Sequence, residues 1–283
     1  MEKVLVTGGA GFIGTNLIKK LLSKGYEVIS IDNYSTGKKE NEQKGCTYYD
    51  LNVNNTKLEE TIPFNKIKTI FHLAALARIQ PSLKNPQQTV ENNVSGTLNI
   101  LNIAKKYNIT LVYAGSSSCH NGLYGSPYAW SKYAGEQLCE LYSKVYNLNT
   151  SICRFYNVYG PHQLEEGDYS TVIGIFERQY RNNEPLTITG DGEQRRDFTH
   201  VNDIIDGLYK CANKNFKAEV FELGRGKNFS INEIVDMFGA ERKYIPARKG
   251  EYDVTLCTDT KAQEMLGWDP VENLEDYIKK IIK

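Results

Sequence analysis

The sequence predicts an α/β protein, a Rossmann-type doubly wound parallel sheet with a smaller C-terminal lobe. Three observations predict it. Short apolar runs alternate with amphipathic helical stripes from residue 3 to residue 155, the pattern of a parallel sheet covered on both faces. The first run ends in a glycine-rich turn, Thr7–Gly14, that opens the first helical stripe. The second run ends in a carboxylate, Asp32.

Lys3–Thr7 is short and apolar and reads as a buried strand. Phe12, Ile13, Leu17, Ile18, Leu21 and Leu22 recur at helical spacing between Gly11 and Ser23. Glu27–Ile31, Cys46–Tyr49 and Thr69–Leu73 repeat the strand signal. Helices are predicted over Thr89–Tyr107 and Tyr128–Tyr146, with strands at Ile109–Ala114 and Thr150–Phe155 flanking the second. After Gly160 the texture changes. Pro161–Asp168 is polar and irregular, and a helix (Thr171–Arg181), a strand (Leu186–Thr189) and a polar loop (Gly190–Asp197) follow. A helix over Asn202–Ala212, capped by Asn202, precedes a strand at Val220–Leu223. From Ser230 short helices and strands alternate.

With 283 residues and 40% apolar content, the chain has room for one large or two modest domains around a sizeable core. Lys plus Arg and Asp plus Glu both number 34, so no basic surplus points to nucleic acid. No charged start leads into an apolar run, and no apolar stretch approaches the roughly 18 residues of a membrane span. Neither a signal peptide nor a membrane partner is expected. Cys46, Cys119, Cys139, Cys153, Cys211 and Cys257 are scattered without a C-x-x-C pair. That usage reads as reduced thiols of a cytoplasmic protein, with no metal site, rather than a disulfide or zinc framework.

In the glycine turn, Gly9, Gly11 and Gly14 satisfy G-x-G-x-x-G, and Gly8, Gly11 and Gly14 satisfy G-x-x-G-x-x-G. Glycines let the backbone turn tightly and approach a pyrophosphate at a helix N-terminus. Placement between a strand and an amphipathic helix strengthens this reading, and makes Gly8, Gly11, Phe12, Ile13 and Gly14 candidate cofactor contacts. Asp32 would accept hydrogen bonds from an adenosine ribose and repel a 2′-phosphate, which favours NAD. Asn33 follows, where an NADP enzyme often places Arg; Lys38 and Lys39 keep NADP as the alternative. Residues 1–160 are therefore expected to form an NAD-binding domain, with 198–223 returning to it. Residues 161–197 and 224–283 would form the second lobe.

Tyr128-Ala129-Trp130-Ser131-Lys132 places a phenol and an ammonium on one helix face. A free Tyr has a pKa of about 10. A nearby Lys cation would lower it, so that Tyr128 could take a proton from a hydroxyl while hydride leaves the same carbon. Ser116, Ser117 and Ser118 lie just beyond a predicted strand end, at the sheet edge where ligands bind.

These residues resemble the extended short-chain dehydrogenase/reductase family of sugar-nucleotide epimerases and dehydratases, and the match spans nearly the whole chain. The resemblance implies a Ser116/Tyr128/Lys132 catalytic set, with Ser117 the rival serine and a substrate contact. His72-Leu73-Ala74-Ala75 resembles the segment beside the cofactor, Asp50 and Leu51 fall where the family contacts adenine, and Asn93 opens the N-V-x-G-T helix near the active site. Arg154–Pro161 resembles R-x-x-N-V-Y-G-P, whose Asn, here Asn157, contacts substrate. Gly190–Phe198 is similar to G-D-G-x-Q-x-R-D-F, where Arg196 would grip the nucleotide diphosphate. Arg248-Lys249-Gly250-Glu251 resembles a second phosphate-binding segment, with Arg248 as its arginine. Two planar guanidinium forks match phosphate oxygens well. The two long helices match those that form a homodimer bundle in the family; packing on the sheet alone is the alternative.

The chain departs from the family where x-x-V-Y-G should follow the catalytic serine, and the Ser116-to-Tyr128 interval is about a dozen residues shorter than in common 4-epimerases. Dehydratases of the family resemble Thr-Asp-Glu at this place, and uronate decarboxylases keep a Glu; Ser117 and Ser118 supply no carboxyl. Cys119 and His120 invite comparison with GDP-fucose synthases, although Thr171 stands where those have His. Epimerisation at C4 of a UDP-sugar through a 4-keto intermediate is the reaction the resemblance favours, with NAD returning the hydride it accepts. The residue seven after Arg248 is Thr255, where a bulky Tyr restricts other epimerases to unacetylated sugars. That predicts room for UDP-GlcNAc and UDP-GalNAc beside UDP-glucose and UDP-galactose. A non-catalytic dinucleotide-binding regulator is the alternative of another class; such proteins tend to lose the Tyr or the Lys.

Overall fold

The structure, a computed structural model, describes residues 2–248 and 250–283. Met1 and Lys249, the latter within the second arginine segment, lie outside the described residues. The order of elements is β1 (Lys3–Thr7), α1 (Phe12–Ser23), β2 (Glu27–Asp32), β3 (Cys46–Asp50), α2 (Leu58–Thr61), β4 (Ile67–His72), α3 (Ile79–Lys84), α4 (Pro86–Val90), α5 (Gly96–Tyr107), β5 (Thr110–Ser116), α6 (Pro127–Tyr146) and β6 (Thr150–Phe155). There follow α7 (Val172–Arg181), β7 (Leu186–Thr189), β8 (Arg195–Asp197), α8 (Val201–Cys211), β9 (Glu219–Leu223), β10 (Asn228–Ser230), α9 (Ile231–Phe238), β11 (Arg242–Ile245), α10 (Lys261–Leu266) and α11 (Leu274–Ile281).

Seven strands form one parallel sheet in the order β3-β2-β1-β4-β5-β6-β9. β1 shows why its run is uniformly apolar. Leu5 packs with Ile29 and Ile31 on one face, while Val4 and Val6 pack with Leu17 and Ile18 of α1 on the other. A strand buried on both faces needs apolar side chains at every position. The chain leaves β1 for β2 on one side and returns to β4 on the other, so a crevice opens at their C-terminal ends. A third cluster lies apart from the sheet and joins Phe176, Leu186, Ile188, Ile234, Phe238 and Ile278. Ser230 and Glu233 start its helix α9 with a reciprocal capping box.

Four expectations are corrected. The helix over Thr89–Tyr107 begins earlier, at Pro86, and is interrupted by a π-helical turn over Glu91–Ser95. The turn carries Asn93, whose side chain is drawn into tertiary bonds described below. Helix α8 is capped by His200 rather than Asn202: His200 Nδ1 accepts from the Asn202 N–H at 3.2 Å. The polar loop Gly190–Asp197 ends in a strand, β8, which pairs antiparallel with β10. Strand β5 runs to Ser116, because that residue pairs with Phe155 of β6.

Candidate active site

The glycine turn is built by close approach. Gly8 has φ +73°, and its carbonyl accepts from the Gly11 N–H at 3.2 Å. A Cβ at Gly14 would lie 2.1 Å from the Gly8 carbonyl oxygen, so only glycine fits. Gly11 caps the 12-residue helix α1 with no side-chain bond, which leaves first-turn N–H groups for an anion. Asp32 is fixed beside this turn, with Oδ2 accepting from the Ala10 N–H at 2.9 Å and Oδ1 from the Tyr34 N–H at 2.8 Å. Burial pushes its carboxyl up, and those backbone bonds oppose the rise.

Gly8, Gly11, Phe12, Ile13, Gly14, Asp32 and Asn33 line one cleft, joined by Leu51, Leu73, Ala74 and Ala75. Asp50 ends β3 exposed and is not part of the lining; the wall continues through Leu51, Asn52 and Val53 instead. Asn93 stands behind the wall, buried. Its amide donates to the Leu76 carbonyl at 3.1 Å and to Ser131 Oγ at 2.9 Å, and accepts from the Leu76 N–H at 2.8 Å. It ties the loop after β4 to α6, while its neighbour Asn92 faces the cleft.

Pro127 at the first turn and Ser126, whose Oγ accepts from the Ala129 N–H at 3.1 Å, start α6. This start sets Tyr128 against the end of β5, where its hydroxyl donates to Ser116 Oγ at 3.1 Å. Ser116 Oγ also accepts from the Ser118 N–H at 3.2 Å. Ser116, not Ser117, is therefore the partner of the phenol. Lys132 is buried one turn on, its Nζ 4.3 Å from the centre of the Tyr113 ring. Burial lowers its pKa to about 8, against the pull of Glu136.

The electrostatics of Tyr128 differ from expectation. Burial pushes its phenol up; the Ser116 bond and the guanidinium of Arg78 pull it down. Arg78, which the sequence reading did not single out, is thus one cation that acts on the phenol. Arg78 Nε donates to the Ser170 carbonyl at 3.2 Å and Nη1 to the Ala77 carbonyl at 2.8 Å. Among the described residues no carboxylate forms an ion pair with it.

Tyr128 and Arg78 border a second cleft, between the sheet and the third cluster. Ser116, Ser117, Ser118, Asn157, Arg196 and Arg248 all line it. Asn157, at φ +22°, donates to the Asp197 carbonyl at 2.8 Å and to Thr255 Oγ1 at 3.1 Å, so its carbonyl oxygen remains for a ligand. Arg196 donates from Nη1 to the Arg195 carbonyl at 2.9 Å. Two buried hydroxyls on this cleft, Ser118 Oγ and Tyr252 Oη, make no hydrogen bond of ordinary geometry among the described residues.

Beneath the serines runs a chain of ion pairs. Arg154 grips Glu136 (Nη2–Oε2 2.7 Å) and Glu222 (Nη1–Oε1 2.8 Å), and Glu222 also meets His120 at 2.8 Å. Glu222, which the sequence left without a role, thus anchors the shortened loop.

A glycine cradle with a buried carboxylate beside it, next to a serine–tyrosine–lysine set at the sheet edge, defines a short-chain dehydrogenase-type enzyme site. The chain belongs to the NAD dependent epimerase/dehydratase family, whose model matches residues 4–224. It is 34% identical over 302 residues to a putative UDP-glucose 4-epimerase of Methanocaldococcus jannaschii, covering 99% of this chain and 97% of the relative. Among solved structures, the UDP-glucose 4-epimerase of Thermotoga maritima with UDP-glucose superposes at a TM-score of 0.93, with 31% identity, over 99% of this chain and 97% of that one. The UDP-glucuronic acid 4-epimerase of Bacillus cereus, in complex with UDP-glucuronic acid and NAD, superposes at 0.85 with 29% identity over 99% of each chain. NAD is the cofactor of the family, and the cradle fits it: close-packed glycines, open helix N–H groups and Asp32 are the donors and acceptors that a dinucleotide requires.

Proposed function

We propose that this chain epimerises UDP-sugars at C4, with UDP-glucose/UDP-galactose and UDP-GlcNAc/UDP-GalNAc as substrates. The observation that carries the reading is the Tyr128–Ser116 hydrogen bond, placed where the two clefts meet. Ser116 orients the C4 hydroxyl, and Tyr128 Oη removes its proton. NAD, when bound, accepts and returns the hydride at that carbon. Lys132 and Arg78 offset the negative charge that the phenol oxygen must carry before it takes that proton, which leaves it neutral. Arg196 and Arg248 hold the diphosphate, Ser117 and the Asn157 carbonyl contact the sugar, and Thr255 leaves room for an acetamido group. Residues 161–197 and 224–283 supply the sugar-nucleotide lobe. Trp130, Leu141 and Val145 on α6 and Leu98 on α5 are exposed apolar side chains and support a homodimer through these helices. The six cysteines are free, in keeping with a cytoplasmic enzyme.

Incubation with each UDP-sugar, followed by mass spectrometry and isomer separation, tests this reading. Equilibration of a C4 pair supports it; loss of water or carbon dioxide from the sugar overturns it. One observation favours a second reading, action on a UDP-uronate: the Arg78 guanidinium beside Tyr128, bonded to carbonyls but to no carboxylate among the described residues, suits a sugar carboxylate. Turnover of UDP-glucuronate alone would select it.

A further inference from the structure

Tyr252 has no counterpart among the residues assigned so far, yet its position is fixed. The Arg195 N–H donates to the Asp253 carbonyl at 2.8 Å, and the Thr255 N–H donates to the Arg195 carbonyl at 3.0 Å. These bonds lay residues 253–255 along β8. On the other side, a Cβ at Gly250 would meet Ile79 at 3.4 Å and the Gly125 carbonyl at 3.7 Å, so the segment also abuts α3 and the loop before α6. Tyr252 thereby lines the second cleft together with Tyr128 and Arg196. A nucleotide sugar whose diphosphate meets Arg196 and whose reacting carbon meets Tyr128 must place its sugar ring between them.

The Tyr252 hydroxyl is buried; Ser126 is near enough to act on it, but among the described residues no group makes a hydrogen bond of ordinary geometry to it. Buried hydroxyls are almost always hydrogen-bonded, so one left open on a ligand cleft marks the place of a ligand atom. Ser118 Oγ is a second such hydroxyl on the same cleft.

We propose that Tyr252 is a specificity-determining residue, its hydroxyl hydrogen-bonding one hydroxyl of the bound hexose. The inference rests on the reading of this cleft as a nucleotide-sugar site. A site built around such a bond discriminates against a sugar lacking that hydroxyl, because the tyrosine oxygen is then left buried and unpaired.

The test uses the NAD-loaded protein and the variant Tyr252→Phe, which keeps the ring. Calorimetric titration with UDP, UDP-glucose, UDP-galactose and the 2-, 3- and 6-deoxy UDP-glucoses measures binding without requiring turnover. Tyr252→Phe is expected to weaken UDP-glucose by about 5- to 15-fold while leaving UDP within about twofold. One deoxy sugar should bind wild type and variant alike. Equal weakening of UDP and UDP-glucose, or no weakening of either, overturns the proposal. Binding without C4 turnover would remove the epimerase reading and leave this one standing. Failure of wild type to bind any of these nucleotides would remove both.

Discussion

His120 pairs with Glu222 at 2.8 Å, joining the loop that follows Ser116 to strand β9. Bonds to Cys119 and to Glu222 raise the pKa of His120 to about 10. Burial pushes the Glu222 carboxyl up, but its bonds to His120 and Arg154 outweigh this and lower it overall. A histidine raised above its unfolded value gives stability that is complete below about pH 6.5. That stability fades as pH rises through about 10. His120→Asn should therefore lower the urea midpoint at pH 6 and match wild type by pH 10.5. The side chain is 47% exposed, so screening keeps the loss to about 1 kcal/mol or less. A constant difference across the range would reject the ion pair as its cause.

Tyr128→Phe removes the hydroxyl bonded to Ser116 and nothing else. Turnover is expected to fall by about 10²–10⁴-fold, the range for loss of a general base. Bound dinucleotide, read from the absorbance of the denatured protein, should stay at wild-type stoichiometry. Turnover within a few-fold of wild type would remove Tyr128 from the chemistry.

Lys132 is charged below about pH 8 and neutral above it, because burial depresses its pKa. Its buried charge costs stability below that pH, and the cost is relieved as pH rises toward about 10.4, the unfolded value. Catalysis runs the other way: loss of the cation should weaken support for the phenolate, giving a falling limb in kcat near pH 8. Lys132→Met should reduce kcat at pH 7 and abolish that limb. Persistence of the same limb in Lys132→Met would assign it to another group.

Gly14→Ala would place a methyl 2.1 Å from the Gly8 carbonyl and 2.7 Å from the Gly9 Cα. Both obstacles are backbone, so the turn itself must open. We expect a destabilisation of about 2 kcal/mol or more, together with loss of retained NAD. Thermal melts with and without added NAD check this; full retention of cofactor would show that the turn is dispensable.

Short strands set off by polar turns were legible in the sequence. β1, β6 and β7 have the bounds that their apolar runs predict. Ser116 and Tyr128 were legible because a strand end and a helix start each carry a local signal. Features made by distant partners were not. The π-helical turn exists where Asn93 reaches Leu76 and Ser131, and His200 displaces Asn202 as a cap where it bridges to Tyr159. Arg78 is a single cation in an otherwise apolar stretch, with no periodicity to mark it; its role follows from Ser170, which lies far along the chain. Glu222 gains its meaning only through distant partners, Arg154, 68 positions away, and His120, 102 positions away.

Strand β9 has a consequence for how the polypeptide can be divided. It closes the sheet against β6 with residues that follow Ala218, long after the chain has left the sheet at Phe155. A fragment ending at Gly160 would carry every glycine of the cradle, yet would present β6 as a bare border of unpaired N–H and C=O groups. Such a fragment is expected to self-associate rather than act as a portable nucleotide binder, so swaps with relatives should exchange the β9 segment along with the first 160 residues.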